Sequence, residues 1–377
     1  MNKKSVLLAM SGGVDSSVAA CLLKKKGYSV IGITFKVWPK SVCGKGQAKS
    51  CCSLDAINDA RQVCGKLDIP HYVTDCAKEF KEKVIVKFLD CYKRGLTPNP
   101  CIVCNEKVKF PLLLKKAKEF NARYISTGHY ARCGYSPSAE RFVIKEGKDK
   151  QKDQSYVLFG LSQDILSRLV LPVGDFEKED IRIMAKQLNL KSFYREESQE
   201  ICFVRDNDLA GFLEKNLKND IRPGYIREKA GHILGRHNGT CFYTIGQRRG
   251  LRVAYGSPIY VTDINHKTGD IFVGDYSSTL RRSVNVRDIY WTIKLRPKQK
   301  TLNARVKIRY RHDKAKALMN IISSRRCEII FAKPQNALTP GQAAVFYKNN
   351  KVIGGGWIES AREKQASKKE KGVRRRA

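Results

Sequence analysis

The 377-residue chain contains no apolar run approaching the ~20 residues that a bilayer-spanning helix needs, which argues against a membrane span. Its short apolar stretch Val6 to Met10 follows Lys3 and Lys4. That stretch is too short for a signal-peptide core and runs straight into a glycine-rich turn, so the chain reads as cytoplasmic. No G-x-x-x-x-G-K-[ST] segment occurs, which excludes a Walker A loop, and no G-x-G-x-x-G follows the first strand, which excludes a dinucleotide fingerprint. There is a C-x-x-C pair but no second one, which disfavours a four-cysteine zinc site. Acid is scarce: 36 Asp and Glu stand against 72 Lys and Arg, a formal charge of +36. Only eight of those 72 cations lie between Arg362 and Arg376, so the excess belongs mainly to the folded body. Such a surplus attracts polyanions and points to nucleic acid. The 13 cysteines are an odd number, as expected for buried and reactive thiols rather than a secreted disulfide framework.

At ~150 residues per domain the length suggests two or three domains, and the 42% hydrophobic content supports ordinary cores. Strands are expected at Val6 to Met10, Ser29 to Phe35, Ile69 to Thr74 and Tyr124 to Thr127. Helical spacing covers Val18 to Lys26, Leu54 to Leu67, Lys78 to Tyr92 and Phe110 to Phe120. Alternation of this kind argues for a parallel sheet with helices on both faces. After about Asp206 short β-like runs take over: Thr240 to Thr244, Ile259 to Ile264, Ile271 to Val273, Arg305 to Arg309, Glu328 to Phe331, Ala343 to Tyr347 and Val352 to Ile358. The expected division is 1–205, 206–280 and 281–360, the last β-barrel-like, with a disordered basic tail at 361–377.

The sharpest motif is Ser11-Gly12-Gly13-Val14-Asp15-Ser16-Ser17, set between a buried strand and a helix start. Glycines let backbone amides approach a ligand, serines add donors, and the helix N-terminus favours an anion. The nest suits a pyrophosphate, with Asp15 holding Mg²⁺ directly or through water. A plain glycine–serine turn is the blander reading. Ser126-Thr127-Gly128-His129-Tyr130-Ala131 follows the strand at Tyr124 and would face the same crevice.

Two further segments carry thiols. Thr97-Pro98-Asn99-Pro100-Cys101-Ile102-Val103-Cys104-Asn105 reads as a rigid, non-helical loop that presents Cys104 near a helix start, where thiolates are favoured. Ser198-Gln199-Glu200-Ile201-Cys202-Phe203 is the other, and by itself Ile201-Cys202-Phe203 reads as a buried apolar strand. Cys43, Cys51 and Cys52 read as structural or incidental.

Ser11 to Ser16 resembles the PP-loop of the ATP pyrophosphatases. Together with Asn99-Pro100…Cys104-Asn105, Ile201-Cys202-Phe203, Lys152-Asp153-Gln154-Ser155-Tyr156, Thr244 to Gly250 and Arg309-Tyr310-Arg311, it resembles the tRNA-specific 2-thiouridylases, the MnmA family. The resemblance runs to about Ile358. It implies an adenine-nucleotide hydrolase-like α/β domain followed by two smaller, mostly β domains. It also implies ATP-dependent 2-thiolation of a wobble uridine in tRNA, with ATP split to AMP and pyrophosphate.

Carried over residue by residue, Ala9, Met10, Ser11, Gly12, Gly13, Val14, Asp15, Ser16, Phe35 and Gly128 would bind ATP. The family often has Met at the place of Phe35. Asn99, Pro100 and Cys101 would meet the target base. Lys152, Asp153, Gln154, Arg309 and Tyr310 would contact tRNA. Cys202 would carry a persulfide supplied by a sulfur-donor protein or desulfurase, with Cys104 as nucleophile and partner thiol. Many members have Asp where this chain has Cys101, so a second route stays open: a 4Fe–4S cluster ligated by Cys101, Cys104 and Cys202. Rival readings are another PP-loop ligase, which needs no paired cysteines, and a basic RNA-binding module with a degenerate nucleotide pocket.

Overall fold

Residues 4–37, 54–190 and 201–362 of the computed structural model are described. Cys43, Cys51, Cys52, Ser198 to Glu200 and the basic tail from residue 363 lie outside them. The apolar run Ser5–Ala9 forms β1, followed by α1 (Val14–Lys25), β2 (Ser29–Lys36), α2 (Leu54–Lys66) and β3 (His71–Asp75). Next come α3 (Ala77–Phe80) and α4 (Val86–Lys93), joined through a π-turn at Lys81–Ile85. A second π-turn, Asn105–Lys109, joins α5 (Pro100–Cys104) to α6 (Phe110–Glu119). The chain continues as β4 (Tyr124–Ser126), a hairpin of β5 (Ala131–Ser136) and β6 (Arg141–Glu146), α7 (Gln163–Leu166), β7 (Leu169–Val170) and α8 (Lys178–Gln187).

β1, β2, β3, β4 and β7 make a wholly parallel sheet in the order β3-β2-β1-β4-β7. Alternation along β1 explains the two helical layers. Leu7 packs with Ile33, Ile125, Phe110 and Leu113 on one face, and Val6 and Leu8 pack with Val18, Ala19 and Leu23 on the other. The strand order turns back between β1 and β4, and in open α/β sheets ligands bind beyond the strand ends at that reversal.

Beyond α9 (Leu209–Leu217) lies a small sheet of β8 (Gly224–Glu228), β9 (Ile233–His237), β10 (Tyr260–Asn265) and β11 (Asp270–Gly274), in the order β10-β11-β8-β9. Its core is Ile226, Leu251, Ile259, Val261, Ile271 and Val273. The strand expected at Thr240 to Thr244 is instead a 3-10 turn, Thr240–Phe242, set up by Gly239 N–H donating to His237 Nδ1. The last region holds β12 (Leu280–Trp291), β13 (Thr301–Lys307), β14 (Ala315–Ser323), β15 (Arg326–Asn336), β16 (Ala343–Lys348) and β17 (Lys351–Arg362). The order β12-β15-β14-β13-β16-β17 closes through β12–β17, giving a six-stranded barrel. The β5–β6 hairpin pairs onto β17, so the first domain extends the barrel sheet. Among the described residues no helix is long and apolar enough to cross a membrane.

Candidate active site

The loop after β1 is shaped by its own side chains. Met10 N–H donates to Ile33 O at 2.8 Å, and Thr34 Oγ1 donates to Met10 O at 2.9 Å, which ties the loop's entry to β2. Gly12 sits at φ +73°, and a Cβ there would lie 2.2 Å from Ala56 O, so only glycine fits between the loop and α2. Gly13 is the N-cap of α1. The hydroxyls of Ser16 and Ser17 donate to Gly13 O at 3.1 and 2.9 Å, and Ser11 Oγ lies 3.2 Å from Ser16 Oγ. These serines, expected as ligand donors, turn inward and brace the turn. The start of α1, with its leading amides and dipole, is a place where an anion is favoured.

Gly128, in the loop after β4, closes on this turn. A Cβ on it would lie 2.8 Å from Ser16 N and 2.9 Å from Asp15 C, so the two crevice loops touch backbone to backbone. Behind it, Thr127 Oγ1 lies 2.7 Å from His129 Nδ1, and the His129 ring stacks on Phe110 at 5.8 Å. Burial, and then the charge of Lys109, holds the His129 pKa well below its usual 6.5, so the ring is neutral. Of the other residues expected at the nucleotide, Ala9 and Phe35 pack towards the Leu7 face of the sheet and Val14 is buried on the face of Val6 and Leu8.

Asp15, the second residue of α1, has an occupied oxygen. Tyr130 Oη donates to Asp15 Oδ1 at 2.6 Å, and Lys178 Nζ lies 2.6 Å from the same atom. Lys178 is the first residue of α8, which opens with a capping box between Glu177 and Asp180. Its side chain is 10% exposed, and its ammonium lies 5.5 Å from the Tyr130 ring centre. Sequence reading missed Lys178, because it lies 163 positions from Asp15 in a surface-type helix pattern. A divalent ion would reach Asp15 Oδ1 only through water or by displacing this lysine.

The Lys152–Gln154 segment connects to the same cluster. Gln154 Oε1 accepts from Tyr130 N–H at 2.9 Å, and Gln154 N–H donates to Tyr130 O at 2.8 Å. Asp149 accepts from Lys152 N–H at 3.0 Å and from Lys178 N–H at 3.0 Å. Asp153 is buried, at 4% exposure, and accepts from Gly147 N–H, Ser155 N–H and Ser155 Oγ. Burial raises its pKa. It braces a turn and presents no carboxylate to the surface. Arg309 is exposed, with Nη1 donating to Asn336 O at 3.2 Å. Tyr310 packs edge-on to Tyr156 at 6.2 Å. Its phenol is pushed up to about 12 by burial and then by Asp153. The Ser155–Leu158 turn that carries Tyr156 also contacts α5, so the β13–β14 loop lies beside the element that carries Cys101.

The thiol segments differ from their expected local structure. Residues 100–104 are helical, not a loop: Pro100 takes the first helical position, where its missing N–H costs nothing, and Asn99 Oδ1 caps Cys101 N–H at 3.1 Å. Cys101 is therefore at the helix start and exposed, while Cys104 lies a turn further in and is half-buried. Ile201-Cys202-Phe203 is a turn, not a strand, with Val204 N–H donating to Ile201 O at 2.9 Å. Phe203 anchors that turn against Phe88 at 5.0 Å and Phe80 at 5.8 Å.

Cys104 and Cys202 pack against the same apolar cluster, formed by Cys76, Phe80, Val84, Phe88, Val108 and Phe203. Phe35 touches this cluster and also the sheet core of Leu7, Ile33 and Phe110. Cys76, another thiol next to Cys104, is pushed up to about 12 by burial and then by Cys104's charge, which makes it inert. Among the described residues no three His, Cys, Asp or Glu side chains are gathered to hold a metal ion, so Cys101, Cys104 and Cys202 do not form a cluster-ligand set as placed.

Three family profiles match in order: a tRNA methyl transferase HUP domain at residues 4–206, a tRNA methyl transferase PRC-barrel domain at 210–275 and an aminomethyltransferase beta-barrel domain at 281–358. The tRNA-specific 2-thiouridylase MnmA of Carboxydothermus hydrogenoformans is 43% identical over 362 residues, covering 95% of this chain and 98% of that protein. The protein of the same name from Acetivibrio thermocellus is 42% identical over 365 residues, covering 95% and 100%. The one from Geobacter metallireducens is 44% identical over 362 residues, covering 95% and 98%. With matches that run through all three regions at this identity, the chain belongs to the tRNA-specific 2-thiouridylase family.

Proposed function

We propose that the chain thiolates the wobble uridine of tRNA at the 2-position, using ATP and a cysteine persulfide, in the cytoplasm. The observation that carries this reading is that β2 joins two sites: Thr34 holds Met10 at the entry of the glycine-rich loop, and its neighbour Phe35 packs on the cluster that Cys104 and Cys202 share.

The uracil 2-oxygen attacks the α-phosphorus of ATP, and pyrophosphate leaves towards the N-terminus of α1. The O-adenylated base now has a good leaving group. The terminal sulfur of a Cys202 persulfide, delivered by a donor protein, attacks C2, and AMP departs with the former 2-oxygen. Cys104 thiolate then attacks Cys202 Sγ. The S–S bond to the transferred sulfur breaks, 2-thiouridine is released, and a Cys104–Cys202 disulfide remains for an external dithiol to reduce.

Asn99, Pro100 and Cys101 receive the flipped base, and Arg309 and Tyr310 hold RNA at the adjoining β13–β14 loop. Lys152 and Gln154 support the same edge, while Asp153 acts from within the turn. Mg²⁺ accompanies the nucleotide as its phosphate counter-ion. No step is assigned to an iron–sulfur cluster.

The test is incubation with unmodified tRNA, ATP, a persulfide donor and reductant. Pyrophosphate release coupled to 2-thiouridine formation supports the proposal, and release without thiolation contradicts it.

A further inference from the structure

We propose that the outer face of the C-terminal barrel is a further contact surface for the RNA backbone, an inference that rests on the reading of the chain as a tRNA-modifying enzyme. A groove of about 920 Å³ crosses this face over β12 to β16. Arg282, Arg305, Lys316 and Lys348 line it, together with Asn303 and the exposed Leu318, and among the described residues no Asp or Glu does.

The strand register makes the charge unusual. Lys316 lies opposite Arg305 across β14–β13. Lys348 lies opposite Lys351 across β16–β17, Lys351 opposite Lys145 across β17–β6, and Lys145 opposite Arg132 across β6–β5. Like charges directly opposite destabilise a sheet. The chain could relieve them with acids, as Asp175 does for Arg132 at 2.7 Å. Yet among the described residues Arg305, Lys316 and Lys348 form no ion pair. A row of cations left uncompensated on a concave face is matched by a polyanion whose phosphates lie between them.

The position selects RNA. From Arg305 the chain runs four residues along and past β13 to Arg309, ~13 Å at strand spacing, and so leads from the groove to the loop whose Tyr310 packs on Tyr156, in the turn that contacts α5. A tRNA with its target base at Cys101 would carry its backbone over this face. Phosphates supply affinity and register there, and sequence is read elsewhere.

The experiment measures binding of unmodified tRNA across a salt series for the parent, Arg305→Gln/Lys316→Gln, and a control, Lys25→Gln/Lys26→Gln. The control sits at the end of α1 remote from the nucleotide loop. Loss of two phosphate contacts should weaken binding and flatten the log–log salt slope by about 1.5, at ~0.7–0.9 per contact. The KM for tRNA should rise with kcat unchanged, and the control should match the parent. A groove variant with the parent's affinity and slope overturns the proposal, as does a control that loses as much. Lys348→Gln/Lys351→Gln serves as a second variant if the first does not fold. Failure of the parent itself to thiolate tRNA would overturn the proposed reaction instead, since the groove is judged on binding.

Discussion

Lys178 Nζ lies 2.6 Å from Asp15 Oδ1, joining the start of α8 to the second residue of α1 in a half-shielded ion pair that Tyr130 Oη completes. In the proposed reaction the pair neutralises a carboxylate at the turn assigned to the nucleotide's phosphates. Lys178→Met should therefore lower kcat/KM for ATP by about ten- to a hundredfold, ~1.4–2.8 kcal/mol of transition-state stabilisation. Asp15→Asn in the same chain should recover part of that loss, because the two substitutions remove one interaction. Steady-state pyrophosphate release for both single variants and the double variant measures the coupling, and strict additivity would refute it.

The contact between crevice loops is equally testable. Gly128→Ala would press a methyl group to within 2.8 Å of Ser16 N, and it is the α1 backbone, not a flexible side-chain end, that must give way. ATP-dependent pyrophosphate release should fall at least about tenfold, ~1.4 kcal/mol. Gly134→Ala, where nothing lies within 4 Å of the added methyl, should leave it intact.

Acid should destabilise the fold through its histidines. His71, His129, His237 and His312 are all held below the usual 6.5, chiefly by burial. An unfolded chain then binds more protons than the folded one as pH drops below that value. The stability contributed is thus complete above about 6.5 and is lost on acidification, at up to ~1.4 kcal/mol per pH unit for each histidine. His129→Gln should flatten the fall in denaturant midpoint between about pH 7.5 and about pH 5.5. An unchanged pH profile would show that His129 does not contribute.

Much of this architecture was legible in the sequence. Apolar runs such as Ser5–Ala9 and Ser29–Lys36 mark central parallel strands because both their faces are buried. The PP-loop was legible because glycine is forced at position 12 by a left-handed backbone and by Ala56. The β5–β6 hairpin was not, because its sequence ARCGYS–RFVIKE alternates weakly and owes its place to pairing with β17 more than 200 residues away. The helix at Pro100 was hidden because two prolines suggest a loop, whereas one of them starts the helix and Asn99 caps it. Lys178 was hidden because an ion pair across the fold leaves no local pattern.

The two thiols are given distinct roles. With Cys104→Ser, a persulfide on Cys202 can still attack the activated base but cannot be resolved. A covalent tRNA–protein adduct should accumulate and dissolve on adding dithiol. Cys202→Ser should give no such adduct. Denaturing gel electrophoresis with labelled tRNA separates the two outcomes, and an adduct formed by Cys202→Ser would reverse the assignment.

In the proposed reaction sulfur reaches the base from Cys202 only after ATP has activated the uracil oxygen. Mass spectrometry of nucleosides from tRNA treated with parent or Cys202→Ser protein, with ATP, persulfide donor and reductant, tests it directly. The parent should yield 2-thiouridine in step with pyrophosphate, and Cys202→Ser none. Thiolation by Cys202→Ser at the parent's rate would contradict it.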